Sequence, residues 1–536
     1  MSVAVNVSRK VFFVGLTTVI VLTRLPLLLS GYGSDGDAWR VAHVGHTLWT
    51  SGVYEMSRPP GYPAHEILSA PLVALGGSVL SNAVTLIASI VAVFVWHAFV
   101  HGRTQRPGML IVAFAFTPLF WMNSATTMDY IWSLLMILLA MHAIMRTKSI
   151  SAGVWAGLAI GFRPTNAVLL VPLAILLVTV MRRSGVSCHC ERSPGGASEA
   201  ISPMNDHKER LLRTEERARK DAGPVDGLSR NDEARRSLLP LLIFLVFSCV
   251  TVVVVFLPVV FTYGIGGWLG ELRSQVGSSA IGLNEAPLYF VYRTIYAIGP
   301  LAFLSMLWIV LRKGAFSTAW NSRNHLFAIS LAALCVLLVF FALFPLEKSY
   351  LLAGLPFLLL VLDRLATPRA FSLFTLFIIS YAFVNPDGIQ HGGARGTPRF
   401  NVHTGMVIEE WQKRKELEEW RNQLASVAVP ERTVIMTGVG PAFWFENDAV
   451  EAVQNPIVRN VNDVVVRRKG NPSILFVPMI PREETERLQH LGWRVMCDTT
   501  NQQYIERTMG YRIATIPGIP LPISPSPHSP DNSPPH

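Results

Sequence analysis

Long apolar runs separated by short polar breaks fill the chain up to about residue 385. The first runs from Val11 to Leu29 and follows Arg9 and Lys10. At about 1.5 Å per residue it crosses about 30 Å of hydrocarbon, and no A-x-A cleavage site follows. It therefore predicts a transmembrane helix with its N-terminus in the cytoplasm. Arg24 near its far end can extend to the interface. Further runs at 80–100, 108–123, 128–146, 151–162, 165–181, 237–261, 290–311, 326–345, 349–363 and 370–385 predict a polytopic helical bundle of about eleven spans.

The basic residues give this bundle an orientation. Arg103 and Arg106, Arg146 and Lys148, Arg182 and Arg183, Arg312, Lys313 and Arg323, and Arg364 and Arg369 all fall in loops on the N-terminal side. The intervening loops are poorer in Lys and Arg, as the positive-inside rule requires. An odd number of spans then places everything after about residue 386 outside the cytoplasm.

Three stretches stand apart from the spans. A first outer loop at 30–79 mixes acids, bases and aromatics. The inner loop at 182–236 mixes charges of both signs with few aromatics and reads as disordered. It contains Cys188-His189-Cys190, too few ligands in one place for a metal centre. The third stretch, 386–516, predicts a small extracytoplasmic α/β domain. Val407, Trp411, Leu417 and Trp420 recur at helical spacing within 405–425, and Thr433–Thr437, Ser473–Pro478 and Arg494–Cys497 read as strands, with a helix over Arg482–Leu491. Thr437-Gly438-Val439-Gly440 reads as a turn, not a phosphate-binding loop. A disordered Pro/Ser-rich tail occupies 517–536. The fold class is thus mostly α, with residues 1–385 forming the transmembrane domain.

Composition agrees with this picture. Of the 536 residues, 51% are hydrophobic and only 15% charged, which excludes an ordinary soluble enzyme or a disordered chain. The net charge of +10 reflects positive cytoplasmic loops rather than nucleic-acid binding. The five cysteines are scattered and imply no disulfide framework.

Placed on this topology, the ionisable residues gather on one side. Asp35, Asp37, Glu55, Arg58, His65 and Glu66 lie in the first outer loop, and Asp129 lies at the start of the fourth span. Arg163 occupies a turn, and Glu271, Arg273, Glu285 and Arg293 follow the seventh span. Glu347 and Lys348 occupy a later turn. Charge at a membrane boundary must be paired or wet, so this gathering marks a site. Loop residues can be charged without function, and Asp129 at a helix start could simply cap it. His65 and Glu66 are adjacent and lack the helical spacing of a zinc motif, so no metal or other cofactor is expected.

The order of Asp35-Gly36-Asp37, Gly52-Val53-Tyr54, Ser57-Arg58-Pro59-Pro60-Gly61-Tyr62-Pro63, Asp129, the Arg163 turn and Lys348-Ser349-Tyr350-Leu351-Leu352 before Leu355-Pro356 resembles the GT-C fold membrane glycosyltransferases, of the protein O-mannosyltransferase and aminoarabinose-transferase type. The resemblance covers roughly residues 10–385. It implies an integral protein of the bacterial inner membrane. It further implies inverting transfer of a sugar from a polyprenyl-phosphate donor to a glycan, lipid or protein hydroxyl on the outer side. A carboxylate would serve as base and cations would hold the phosphate. On that reading Asp37 is the preferred base and Asp35 the second candidate. Asp129 supports the site, and Arg58, Arg163, Lys348 and Tyr350 are donor-phosphate partners. A multi-spanning transporter is the alternative from another class, although no internal repeat is visible. A lipid-carrier glycan ligase or polymerase shares the donor logic.

Overall fold

The computed structural model describes residues 2–190, 229–278, 286–321, 324–343, 348–387, 401–437, 444–454, 457–458, 464–477, 480–497 and 513–516. Apolar sequence folds into helices α1 (Ser2–Leu28), α2 (Gly36–Ser51), α3 (Pro63–Val100), α4 (Pro107–Phe116), α5 (Pro118–Asn123), α6 (Tyr130–Met145) and α7 (Ser149–Phe162). A 3-10 turn at Pro164–Leu169 leads into α8 (Leu170–Cys190), followed by α9 (Ser229–Ser278), α10 (Ala286–Ile298), α11 (Pro300–Leu311), α12 (Ala315–Asn321) and α13 (His325–Leu343). A second 3-10 turn, Lys348–Gly354, precedes α14 (Leu355–Leu365) and α15 (Pro368–Ser380).

Among the described residues five helices carry a stretch long and apolar enough to cross a bilayer: Val11–Leu28, Pro63–Val100, Pro164–Arg182, Leu238–Arg273 and His325–Leu343. The chain is an integral membrane protein on this ground. A sixth span arises if Phe290–Ile298 and Pro300–Leu311, bent by 103°, count as one. Helices occupy the other expected places too, but they are short. Thr117 and Pro118 break α4 from α5, and α6, α7 and α15 hold only 16, 14 and 13 residues. Such helices reach about 20–24 Å at most. Of the about eleven expected spans, five or six thus pass by length among the described residues, and the rest correspond to shorter apolar helices.

Two other expectations change. The first outer loop is shorter than 30–79, because Pro63 opens α3 and the Gly76-Gly77 pair, which reads as a loop, is a kink inside it. The expected disordered loop at 182–236 is helical at both ends, through Cys190 and from Ser229. Residues 191–228 lie outside the described residues, as do 438–440, Glu285, Glu347 and the 517–536 tail.

Close packing holds the bundle. Gly153, Gly157 and Gly161 line one face of α7, and α9 lies directly on them. A Cβ on Gly157 would meet the Thr251 Cβ at 2.6 Å and the Ser248 carbonyl at 2.7 Å. Small residues four apart allow this approach, which supplies van der Waals contact where lipid provides no hydrophobic drive. At one end of the bundle the arginine-bearing loops meet. Arg106 donates to the Asp363 carbonyl (2.7 Å), Arg364 to the Arg103 carbonyl (2.8 Å) and Arg312 to the Leu365 carbonyl (3.2 Å). Chain direction puts the N-termini of α3 and α6 and the C-terminus of α7 at the opposite end.

After α15 a short antiparallel pair, β1 (Val384–Asp387) and β2 (Asn401–Thr404), leads to α16 (Met406–Ser426). A six-stranded mixed sheet follows, built from β3 (Thr433–Met436), β4 (Val450–Gln454), β5 (Val464–Arg468), β6 (Asn471–Val477), β7 (Arg494–Cys497) and β8 (Ala514–Thr515), in the order β4-β5-β6-β3-β7-β8. Helix α17 (Arg482–His490) connects β6 to β7, and β3 lies parallel between them. The expected strands at 433, 473 and 494 are β3, β6 and β7. The core of the sheet joins the bundle core through Trp420, Trp444 and Phe476, with the rings of Trp444 and Phe476 4.7 Å apart.

Candidate active site

The Arg58 segment is shaped before it meets anything else. Glu66, in the first turn of α3, is buried and faces back onto the loop 54–62. Its carboxylate accepts from the Ser57 amide (2.8 Å) and hydroxyl (2.6 Å), the Tyr54 hydroxyl (2.5 Å) and the Tyr62 amide (3.3 Å). From the other side α9 holds the same loop: the Met56 amide donates to the Tyr263 hydroxyl (3.1 Å) and the Trp268 indole to the Pro60 carbonyl (2.7 Å). Arg58 is fixed between these supports and is buried.

Its guanidinium joins two acids. Nη2 lies 2.6 Å from Asp129 Oδ1, and Nη1 lies 3.3 Å from Asp37 Oδ2. Burial alone would lower the Arg58 pKa, but Asp37, Tyr62 and Asp129 outweigh it and hold the group above its ordinary range. Asp129 is fully buried, and its second oxygen takes Arg163 Nη1 at 2.6 Å. Asp129 stands before α6 without making a cap hydrogen bond, so its carboxylate serves the arginines rather than the helix end.

Arg163 comes from the extended residue that ends α7, with Pro164 stopping the helix. Its guanidinium stacks over Tyr130 (3.8 Å), Tyr350 (4.5 Å) and, farther off, Tyr62 (5.9 Å). Its Nε is buried and has no hydrogen-bond partner among the described residues. The side chain lines a narrow crevice whose other residues include the polar Tyr130, Ser133, Asn166 and Ser349 and the apolar Leu337, Phe340, Phe341 and Leu352.

Asp37 is the more open acid, with a side chain 25% exposed, and its other oxygen meets Arg40 at 3.2 Å. Asp35 does something else: it caps α2, accepting from the Asp37 amide at 3.0 Å. The two candidate bases thus have separate places, one at the arginines and one at a helix end.

Of the residues picked out from sequence, Asp37, Arg58, Asp129, Arg163 and Tyr350 converge. Lys348 sits on the same 3-10 turn as Tyr350 but directs its ammonium over the Tyr296 ring (4.4 Å). Burial lowers the Lys348 pKa to about 8, helped by Lys413 and opposed by Glu410 and Glu409. Glu66, Tyr62 and Tyr130 join the site without having been assigned roles from sequence. Tyr62 was visible within the Arg58 motif, but only folding brings the ring under the guanidinium (4.0 Å). Among the described residues no group of three or more His, Cys, Asp or Glu is arranged to hold a metal ion.

The arrangement has a definite electrostatic sense. The pair Arg40 and Asp37 cancel, and Asp129 neutralises one of the two buried guanidiniums. One positive charge and one free N–H donor remain beside an apolar crevice, next to a half-open carboxylate. Such a place suits a singly charged phosphodiester with a hydrocarbon tail.

No protein-family model matches the chain, and no curated protein does. Two solved structures are similar: ArnT from Cupriavidus metallidurans bound to undecaprenyl phosphate (TM-score 0.42, 13% identity, 68% of this chain and 62% of that one) and the same protein in the apo state (TM-score 0.29, 12% identity, 95% and 90%). The first likeness thus spans under two thirds of the matched chain. At TM-scores below 0.5, neither likeness bears on activity.

Proposed function

We propose that the chain is a membrane glycosyltransferase that moves a sugar from a polyprenyl-phosphate donor to an acceptor hydroxyl, with inversion, on the non-cytoplasmic side. The observation that carries this reading is the single Arg58 guanidinium joined to both Asp37 and Asp129, with Arg163 on the far oxygen of Asp129. A base and a phosphate-binding pair stand within one side chain of each other.

In the proposed reaction the donor phosphate binds Arg163 Nε, with Arg58 lending its charge across Asp129 and the lipid running past Leu337 and Phe341 in the crevice. Asp37 accepts the proton of the acceptor hydroxyl as its oxygen attacks the anomeric carbon. The bond to the phosphate oxygen breaks on the opposite face, and the arginines stabilise the charge gained by the departing phosphate. Asp129, with both oxygens occupied, keeps the two guanidiniums apart and aimed and is not itself the base. Tyr350 flanks the phosphate side from the 3-10 turn under Arg163, whereas Lys348 on the same turn stands farther off, over Tyr296. A transporter would place its charges near the bilayer midplane at a repeat interface; here they cluster where helices begin and end.

Asp37→Asn is the direct test. Transfer of labelled sugar from a polyprenyl-phosphate donor in membranes should fall by about 10²–10⁴-fold, while binding of the polyprenyl phosphate itself stays near wild type. Activity retained in Asp37→Asn and lost in Asp35→Asn would move the base to Asp35. Activity retained in the double variant would remove the acid-base role altogether.

A further inference from the structure

We propose that Glu410 and Arg414, one turn apart on α16, are positioning residues that set the placement of the Asp37 and Asp129 segments against each other, so that sugar transfer requires α16 to be docked. This rests on the donor-transfer reading above.

Arg414 is an arginine from the C-terminal part of the chain placed inside the bundle, with its side chain 1% exposed. Its Nη1 donates to the carbonyl of Leu27, at the end of α1 (3.0 Å), and to that of Ala125 (2.9 Å). Its Nη2 donates to the Thr126 hydroxyl. Ala125 and Thr126 belong to the turn that delivers Asp129. The fourth contact, from Nε, goes to Glu410 at 2.9 Å. Glu410 in turn accepts from the Ser34 hydroxyl (2.7 Å) and, more weakly, the Ser34 amide (3.4 Å). Ser34 stands three residues before Asp37. One ion pair therefore holds the backbone leading to each acid.

The two segments also touch directly, which makes their spacing sensitive. The Thr127 amide donates to the Tyr32 carbonyl at 3.1 Å. A Cβ on Gly33 (φ +156°) would approach the Thr126 methyl to 2.9 Å. Among the described residues, Arg414 is the side chain that donates to the Leu27 and Ala125 carbonyls together; the Leu27 carbonyl also accepts from the Ser30 amide (3.3 Å). Without Arg414 the Ala125 carbonyl would lose its donor and its segment would shift toward others, and a displacement of about 1 Å at a reacting group costs about 100-fold in rate.

The full-length chain in membranes should be tested with Arg414→Ala, Arg414→Lys, Glu410→Gln and, as a surface control on the same helix, Glu419→Gln. Arg414→Ala should lower kcat for transfer by about 100-fold while the donor KM moves far less, because Arg163 and its crevice are untouched. Arg414→Lys should recover part of the loss, and Glu419→Gln should behave as wild type. Hydrogen exchange at amides 31–37 and 124–129 should quicken in Arg414→Ala, with 54–66 unchanged. Unchanged exchange in those two segments, or a wild-type kcat, overturns the proposal. If Arg414→Ala does not fold, Glu410→Gln decides: a lowered kcat at an unchanged donor KM supports the positioning role, and an unchanged kcat overturns it. Faster exchange in a protein whose wild type transfers no sugar would instead remove the donor reading and leave the Glu410–Arg414 tie standing as structure.

Discussion

Asp129 shows how a single residue settles between two roles. A helix start favours Asp as a cap, yet both oxygens are taken by guanidiniums from elsewhere in the chain. A carboxylate buried without partners would be costly, and so would two buried arginines; each offsets the other only when all three meet. Asp35 is the reverse case, an acid two residues from the preferred base that does cap its helix. Serine and aspartate before Gly36 already carried that signal, since residues of this type accept from amides in the first turn. Lys348 is charged below about 8 and neutral above it, because burial opposes the ammonium. If it supports the donor phosphate, transfer should weaken as pH rises through about 8. Lys348→Arg, which stays protonated, should keep its rate at pH 9 in the same assay. A wild-type profile that does not fall above pH 8 would set Lys348 aside.

At the scale of elements, the pairing of α7 with α9 reaches the site indirectly. Gly153, Gly157 and Gly161 let the two helices touch, and farther along α9 carries Tyr263 and Trp268, which hold the Arg58 loop. Gly157→Leu should push the helices apart and destabilise the protein by about 1–3 kcal/mol, read as a lower unfolding temperature in detergent, with weaker donor binding alongside. Gly266→Ala, where nothing lies within 4 Å of the new methyl, should leave both unchanged. Equal stability of the two variants would show that the glycine stripe is incidental. The spacing of four was present in the sequence but went unread, and only the contact with α9 marks it out. The kink at Gly76-Gly77 was harder, because a glycine pair between apolar runs marks a loop as readily as a bent helix. The strands β3, β6 and β7 and the helix α16 could be read from pattern, whereas β4, β5 and β8 could not. β8 has only two residues, and Glu451, Arg467 and Arg468 interrupt the apolar pattern of β4 and β5.

Over the whole molecule, apolar periodicity locates the helices, and the alternation of helix direction brings Asp37, Arg58, Asp129 and Arg163 to one end. Those four residues could therefore be picked out before any contact was known. What stayed hidden is the support around them. Glu410 reaches Ser34 across 376 residues, and Arg414 reaches Leu27 across 387, with no local spacing to announce either. The expected eleven spans also depended on run length alone, while prolines and glycines cut several runs into helices too short to cross by themselves. The central claim is that a lipid-linked phosphate binds at Arg163 and Arg58, beside Asp37. A structure of the full chain with a polyprenyl phosphate added tests it most directly. A phosphate oxygen should lie within hydrogen-bond distance of Arg163 Nε, with the lipid chain along Leu337 and Phe341. A phosphate seated elsewhere in the bundle, with Arg163 Nε still unpartnered, would contradict it.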